Sequence, residues 1–258
     1  MHKPFKYPTT QHIHGSRLQQ GDEGKPLVRL EQYLSHKEFT ISVSEKLDGA
    51  NCGILFSASE NPMSLRIQSR SRFLPEGKCP PQFLPLLTWS QQHRDELCDR
   101  LQDRYLVYFE SMQALHTIFY DKLTSYFYET AILNMETGDF LCVNSRRKLL
   151  VGLPIVSAPI LARGQFTSVE SVLNHLQQSK FRSNDAMTTL KQVCKKRGVN
   201  YEDIVQRVDK RNLAEGLYIT VDANGRVIDR CKYVRRDFEN KMGDSNVRFI
   251  PNQLAGVR

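Results

Sequence analysis

Ile41 and Val43 alternate with Ser42 and Ser44, the period-two pattern of a strand with one buried face. The same period puts Lys46 on the face of Ser42 and Ser44, where it can line a polar pocket while Ile41 and Val43 enter a core. Ile54, Leu55 and Phe56 form the next apolar run, so Asp48 to Gly53 is expected to connect two strands, with the lysine at a strand end. Pro75-Glu76-Gly77-Lys78-Cys79-Pro80-Pro81, with Pro85 beyond, reads as an irregular connection. A short amphipathic helix follows, capped by Ser90 and burying Leu97 and Leu101 at i, i+4.

Tyr105 to Glu110 is an apolar strand that ends in a carboxylate. Tyr126 to Leu133 and Phe140 to Val143 flank Glu136-Thr137-Gly138-Asp139 and predict a hairpin. Thr167-Ser168-Val169-Glu170 is a capping-box pattern ahead of Val172, Leu173 and Leu176. Asp185 to Arg197 predicts a helix with Met187, Leu190, Val193 and Cys194 on one stripe, and Lys195, Lys196 and Arg197 at its negative end. The expected fold is therefore α+β with an antiparallel-rich sheet, and Gln165 to Asn212 reads as a helical insertion. That segment carries nine Lys/Arg against four Asp/Glu from Lys180 to Arg211, which fits RNA-backbone contact, a cover over a site, or a solvated face.

Leu217 to Val221 and Arg226 to Val234 flank Asp222-Ala223-Asn224-Gly225, a tight-turn signal. If Ala223 pairs with Arg226, Glu215 faces Val234; if Asp222 pairs with Gly225, it faces Lys232. Either register brings Glu215 close to Lys232, and Arg230 shares a face with Lys232. Read by itself, this could equally be a salt-bridged surface hairpin.

At 258 residues the chain suits one domain, 1–258, with the insertion at 165–212. A formal charge of +8 and a pI near 9.2 favour a polyanionic partner. Cys52, Cys79, Cys98, Cys142, Cys194 and Cys231 show no C-x-x-C pair and no regular spacing, which argues against structural zinc and disulfides and for reduced thiols. The seven histidines lack metal spacing; His12 and His14 alternate on an extended segment and read as surface residues, with a phosphate role as the alternative. Met1 to Tyr7 is polar and basic with no long apolar run after it, so neither a secretion signal nor a transmembrane segment is expected. An intracellular, cytoplasmic location follows from that expectation.

Ser44-Glu45-Lys46-Leu47-Asp48-Gly49-Ala50-Asn51 contains K-x-D-G, a pattern that marks lysines attacking the α-phosphate of a nucleotide. Such an amine must lose its proton near neutral pH, which calls for burial or nearby cations, and Gly49 lets backbone approach the nucleotide. K-x-D-G arises by chance in roughly one chain in twenty of this length, so the neighbouring residues decide. The run resembles motif I of the covalent nucleotidyltransferases, the superfamily of ATP-dependent ligases and capping enzymes. Asn51 makes it similar to RNA ligases of the phage-type second class, where DNA ligases usually have arginine. The opening segment from Lys6-Tyr7-Pro8-Thr9 to His14-Gly15-Ser16-Arg17 also resembles that family. Ser69-Arg70-Ser71 resembles motif Ia, Tyr108-Phe109-Glu110 motif III, Glu215-Gly216-Leu217-Tyr218-Ile219 motif IV, and Arg230-Cys231-Lys232-Tyr233-Val234-Arg235 motif V. In the place of motif IIIa, Thr130 and Ala131 stand where relatives have Phe-Asp. The ring that stacks on adenine is then Phe127 or Tyr128 after a register change, or is absent, or both are core residues.

The resemblance implies a ligase adenylation fold without the trailing oligonucleotide-binding barrel, since only Arg235 to Arg258 follows motif V. It implies an ATP-dependent RNA ligase in which Lys46 becomes lysyl-AMP, AMP passes to an RNA 5′-phosphate, and a 3′-hydroxyl displaces it. Lys46, Glu215, Lys232 and Arg230 would be catalytic. Glu45, Lys46, Gly49, Arg70, Glu110, Phe127, Tyr128 and Lys232 would bind nucleotide; Asn51, Arg70 and Arg72 would bind RNA; Glu110 and Glu215 would hold metal. ATP and Mg2+ are the implied cofactors, with Mn2+ as a substitute, because phosphate and carboxylate oxygens are hard ligands. The implied partner is RNA with 5′-phosphate and 3′-hydroxyl ends, with an end-healing enzyme as a further candidate, no membrane, and a monomeric state. The alternatives are a DNA or RNA/DNA hybrid nick ligase, a transferase that adenylylates another acceptor, and an inactive RNA-binding module of the same fold.

Overall fold

A computed structural model describes residues 4–18, 21–58, 63–75, 77–240 and 249–256. Glu76 of the proline-rich connection, residues 1–3, and 241–248 and 257–258 of the trailing segment lie outside the described residues. The chain folds as α+β, with strands β1 (Gln11–His12), β2 (Thr40–Lys46), β3 (Ala50–Ser57), β4 (Ser64–Ser69), β5 (Tyr105–Ser111), β6 (Phe127–Asn134), β7 (Phe140–Leu141), β8 (Ile160–Gly164), β9 (Gly216–Ala223) and β10 (Arg226–Val234). The helices are α1 (Leu84–Gln92), α2 (Arg94–Leu101), α3 (Val143–Leu150), α4 (Val169–Leu173), α5 (Ala186–Arg197) and α6 (Tyr201–Val205). The strands join in one sheet ordered β4-β3-β5-β6-β7-β10-β9-β2-β8, antiparallel throughout, and β1 adds to β10 in parallel.

Alternation on β2 sorts the residues as the sequence pattern requires. Ile41 and Val43 are buried with Leu217, Ile219 and Val221 of β9 in one core, while Ser42, Ser44 and Lys46 alternate onto the other face. A second core forms where Ile54, Phe56, Val107 and Phe109 meet Leu97 and Leu101 of α2. Burying those two leucines contributes on the order of 1.5–3 kcal/mol each. Leu190, Val193 and Cys194 of α5 pack on Phe119 and Ile250, so the helices between β8 and β9 are docked through an apolar stripe.

Several boundaries differ from expectation. β3 begins at Ala50, so the connection after Lys46 is only Leu47 to Gly49. Two helices replace the single amphipathic one, breaking at His93, and Ser90 lies inside the first, donating to the Leu87 carbonyl instead of capping. The α4 cap is Ser168, paired reciprocally with Ser171, and Thr167 and Glu170 do not form the box. Val143 opens α3 where a strand was expected. All six cysteines are free, and among the described residues no helix is long and apolar enough to cross a membrane.

The β9–β10 turn decides the chemistry of its strand. Asn224 and Gly225 take φ of 51° and 80°, so Ala223 pairs with Arg226, the first of the two expected registers. Continued without interruption, that register would set Lys232 opposite Leu217, on the apolar face. Ile228 instead forms a β-bulge between Val227 and Asp229, after which Lys232 pairs with Tyr218, Arg230 with Thr220, and Val234 with Gly216. One extra residue thus turns both cations to the polar face. It also shifts the backbone partner of Glu215 from the expected Val234 or Lys232 to Arg235, whose N–H the Glu215 carbonyl takes, while the Glu215 carboxylate stays in charge range of Lys232.

A Cβ at Gly216 would overlap the Tyr233 carbonyl, with the Val234 Cα 3.0 Å away. Gly216→Ala should therefore lower unfolding free energy by roughly 1–3 kcal/mol. Urea denaturation checks this, and an unchanged midpoint would contradict the close approach of β10 to β9.

Candidate active site

Lys46 ends β2 opposite Gly216, so its side chain reaches the carboxylate just before β9: Nζ lies 2.7 Å from Glu215 Oε2. The side chains are 22 % and 2 % exposed, so the pair is largely withdrawn from water yet the amine keeps an opening. Burial acts to lower the Lys46 pKa, but Glu215, with Glu110 and Asp48, outweighs it and holds the amine above its ordinary value. The expected depression by burial or neighbouring cations is therefore outweighed, and the lysine stands as an ammonium among carboxylates.

Asp48 is a clamp. Its Oδ2 accepts the Thr117 and Ile118 N–H groups, each at 2.7 Å, and its own N–H donates to the Tyr120 hydroxyl. Gly49 serves a close approach within the sheet, since a Cβ there would meet the Met112 Sδ at 2.8 Å and the Glu110 Cγ at 3.0 Å. Its lack of a side chain lets β5 come close enough to bring Glu110 toward Lys46. Burial pushes the Glu110 carboxyl up to about 7, opposed by Lys46 and Arg70 and reinforced by Glu215 and Asp48. Asn51 faces Glu110 across the β3–β5 pair, and its Oδ1 is buried with no hydrogen-bond partner.

Lys232 donates from Nζ to Asp22 Oδ2 at 3.0 Å. Burial lowers its pKa, Asp22 opposes that, and the charges of Lys46 and Glu215 also reach it. Arg230 is half-buried, its guanidinium 3.8 Å from the Phe140 ring centre and 5.3 Å from that of Tyr7, with Nη1 buried and unpartnered. Arg70 and Arg72 are exposed; the charge of Arg70 reaches Glu110, and the Arg72 carbonyl accepts the Ser69 N–H.

Three expected nucleotide ligands stand apart from this cluster. Glu45 alternates to the face opposite Lys46, where Oε2 accepts the Lys180 N–H at 3.4 Å and Oε1 has no partner. Phe127 packs on Trp89 and Phe109 in the α2 core. Tyr128 stands across from Glu110 but is 1 % exposed, packed on Phe181, with its hydroxyl accepting the Thr124 and Ser125 N–H groups. Neither ring can stack on a base without leaving its core.

The pattern of residues also missed members of the site. His12 is buried rather than on the surface, bonded to Ser16 and Asp22. Tyr7 meets the Tyr218 hydroxyl at 2.7 Å beside Arg230. His116 has a buried Nε2 without a partner and lies in charge range of Glu215 and Lys46. Their one signal was position: Tyr7 and His12 lie in the opening segment, and His116 precedes the two residues clamped by Asp48.

Among the described residues no group of three or more His, Cys, Asp or Glu gathers as a metal cage. Two carboxylates, Glu110 and Glu215, do converge on the lysine, which suits a hard cation that takes most of its oxygens from phosphate. The arrangement offers an amine beside a proton acceptor, a second buried cation, and carboxylates around both.

A family model described as RNA ligase matches residues 39–234. No curated protein matches the chain. Among solved structures, a Naegleria gruberi RNA ligase variant with ATP and Mn is similar at 12 % identity and a TM-score of 0.51, over 92 % of this chain and 56 % of that one. Two further variants with AMP and Mn give TM-scores of 0.52 and 0.51 at 14 % and 13 % identity, each over 90 % of this chain and 61 % of the other. At these identities the likeness is one of fold, and the chain spans less than two thirds of each of those proteins.

Glu45 yields a pH test. Burial pushes it from 4.5 up to about 7, so the folded state keeps a proton that the unfolded chain releases. Its stabilising contribution is complete below the unfolded value and is lost as pH rises through about 7. Glu45→Gln has no such loss and should gain on wild type between about pH 5 and 8, by up to about 3 kcal/mol. Thermal unfolding at both pH values checks this, and a pH-independent difference would contradict it.

Proposed function

The chain belongs to the RNA ligase family, and from that premise we propose that it is an ATP-dependent RNA ligase joining 3′-hydroxyl and 5′-phosphate ends. The observation that carries this reading is the Lys46–Glu215 contact at 2.7 Å, with Glu110 and Lys232 in charge range on the same site.

In the first step Lys46 Nζ attacks the α-phosphate of ATP, forming a P–N bond and releasing pyrophosphate. The amine must first be neutral, and Glu215 Oε2 is the acceptor already in contact with it. Lys232 stabilises charge developing on the α-phosphate, while Arg230, held over Phe140 and Tyr7, supports that strand from within. AMP then passes to an RNA 5′-phosphate, and the 3′-hydroxyl of a second end displaces it. Glu110 holds the ribose or, with Glu215, a divalent cation; bound magnesium or manganese would supply neutralisation of phosphate charge.

In this reading Asn51, with its unpartnered buried oxygen, serves the later steps, and Arg70 and Arg72, whose exposure leaves them accessible, contact the RNA end. The same reading makes this a nucleotidyltransferase domain of the phage-type second class, with residues 165–212 as a helical insertion offering basic residues to RNA. Glu45, Phe127 and Tyr128 stand apart from the Lys46 cluster, and no step of this mechanism rests on them.

Incubation with α-labelled ATP and magnesium should label the wild-type protein and leave Lys46→Ala unlabelled. Glu215→Ala and Lys232→Ala should each slow labelling by roughly 10²-fold with the fold retained. Label that survives Lys46→Ala removes the central assignment.

Substrate choice is tested with pre-adenylylated 5′ ends, which bypass the first step. Sealing should be much faster when the 3′-hydroxyl end is ribose, because the 2′-hydroxyl is what distinguishes RNA. Binding should fall with salt at a slope of about −0.7 per single-strand phosphate contacted. Equal sealing of all-DNA ends would favour the nick-ligase alternative and leave Lys46 in place.

A further inference from the structure

Asp22 is a buried carboxylate that the mechanism above does not use, yet it collects three side-chain donors. Lys25 Nζ reaches Oδ1 at 2.7 Å, while His12 Nε2 at 2.8 Å and Lys232 Nζ at 3.0 Å share Oδ2. Burial alone would raise its pKa, but these three bonds hold Asp22 well below the usual carboxylate range, so it is a fixed anion.

The bonds continue beyond Asp22 and return to the strand that carries Lys232. Ser16 Oγ accepts the Val234 N–H at 2.8 Å and lies 2.6 Å from His12 Nδ1. Asp22 as an anion only accepts, so the imidazole proton lies on Nε2; in a neutral ring Nδ1 is then an acceptor and takes the serine's proton. Burial, first among the causes, keeps His12 below its ordinary pKa, in keeping with a neutral ring. The backbone closes the same loop: β1 runs parallel to β10 with His12 beside Lys232, and the Ile13 N–H donates to the Lys232 carbonyl at 3.1 Å. Val234, Ser16, His12, Asp22 and Lys232 thus form a ring of hydrogen bonds that begins and ends on β10.

We propose that Asp22 is the positioning residue for Lys232, with His12 and Ser16 fixing Asp22 in turn. A lysine side chain has about 2 kcal/mol of rotamer entropy to lose. Asp22 takes one of its three N–H donors and leaves two for an incoming phosphate. Lys25, on the solvent side and 43 % exposed, occupies the second carboxylate oxygen. His12, Ser16 and Asp22 are therefore part of the machinery of a cation more than two hundred residues away.

The inference rests on the ligase reading only in assigning Lys232 to the α-phosphate. Its test is a cycle of Asp22→Asn, Lys232→Ala and the double variant in single-turnover labelling with α-labelled ATP. Asp22→Asn should cut the maximal labelling rate by roughly 10²-fold, the scale of a misplaced catalytic group, with KM for ATP near wild type. The double variant should be no slower than Lys232→Ala alone. A fully additive double loss, or Asp22→Asn at the wild-type rate, would overturn the proposal. Should Asp22→Asn unfold, Ser16→Ala breaks the ring one link away and must show the same loss of maximal rate without further loss on Lys232→Ala. A spectroscopic arm needs no activity: 15N NMR of wild-type protein should show His12 neutral and protonated on Nε2, and Nδ1 protonation at neutral pH would overturn the ring. Absence of labelling in the wild-type protein would instead refute the ligase reading, and with it the role of Asp22 in adenylylation.

Discussion

The contact between Lys46 and Glu215 is the constraint on which the site depends. An ammonium and a carboxylate withdrawn from water each cost several kcal/mol unless the geometry compensates both. Compensation here comes from adjacency in the sheet: β2 and β9 are antiparallel neighbours with Lys46 opposite Gly216, so the residue before Gly216 delivers its carboxylate to the lysine. Glu110 and Asp48 then add negative charge around a single amine, and burial pushes Glu110 up to about 7. Asp48 stays in place because two backbone N–H groups hold its Oδ2. The result is a nucleophile stored in its charged form beside the group that can take its proton.

Everything on the polar face also depends on β10 presenting the correct side. The Ile228 bulge changes the parity of the strand midway, so the residues nearest the turn and those nearest the site obey different registers. Without it, Cys231 and Tyr233 would face the site and Lys232 the apolar core of Ile41, Val43 and Leu217. The same face collects unpartnered buried polar atoms: Ser42 Oγ, Thr220 Oγ1, Asn51 Oδ1 and Arg230 Nη1. A core selected only for stability would not leave so many groups unsatisfied, since each costs about 1–3 kcal/mol. Arg230 pairs with Thr220 and Thr220 with Ser42, so three of the four line up across β10, β9 and β2 on the face that Lys46 shares.

Much of this was legible in the sequence where the controlling interaction is local. The face of Lys46 follows from alternation over Ile41 to Lys46, and the turn at Asn224-Gly225 follows from two residues that accept positive φ. The order of the motifs pointed to Glu110, Glu215 and Lys232 without giving their contacts. The bulge was not legible, because nothing in Val227-Ile228-Asp229 distinguishes a bulged isoleucine from a paired one. His12 was misread as a surface residue because its burial depends on β1 joining β10, a pairing across more than two hundred residues. Phe127 and Tyr128 were ambiguous for a related reason: successive strand residues enter different cores, and only tertiary structure shows that both cores are filled. Ser90 failed as a cap because the helix began earlier, at Leu84.

Charge separates two tasks that composition merges. The chain as a whole carries +8, yet the site sets Lys46, Lys232, Arg230 and Arg70 against Glu215, Glu110, Asp48 and Asp22, four formal charges of each sign, and so has no positive excess of its own. The excess lies elsewhere, and Lys180 to Arg211 carries part of it: nine Lys/Arg stand against four Asp/Glu there, and all of the nine except buried Arg182 reach the surface. Surface charge acts over a Debye length of about 8 Å at physiological salt and raises the encounter rate of any polyanion without selecting one. The site acts at hydrogen-bond range and selects by where its donors point. Attraction to RNA and chemistry on a nucleotide are therefore separable properties of this fold: loss of exposed cations such as Lys195 and Lys196 should weaken encounter while leaving the Lys46–Glu215 contact at 2.7 Å intact.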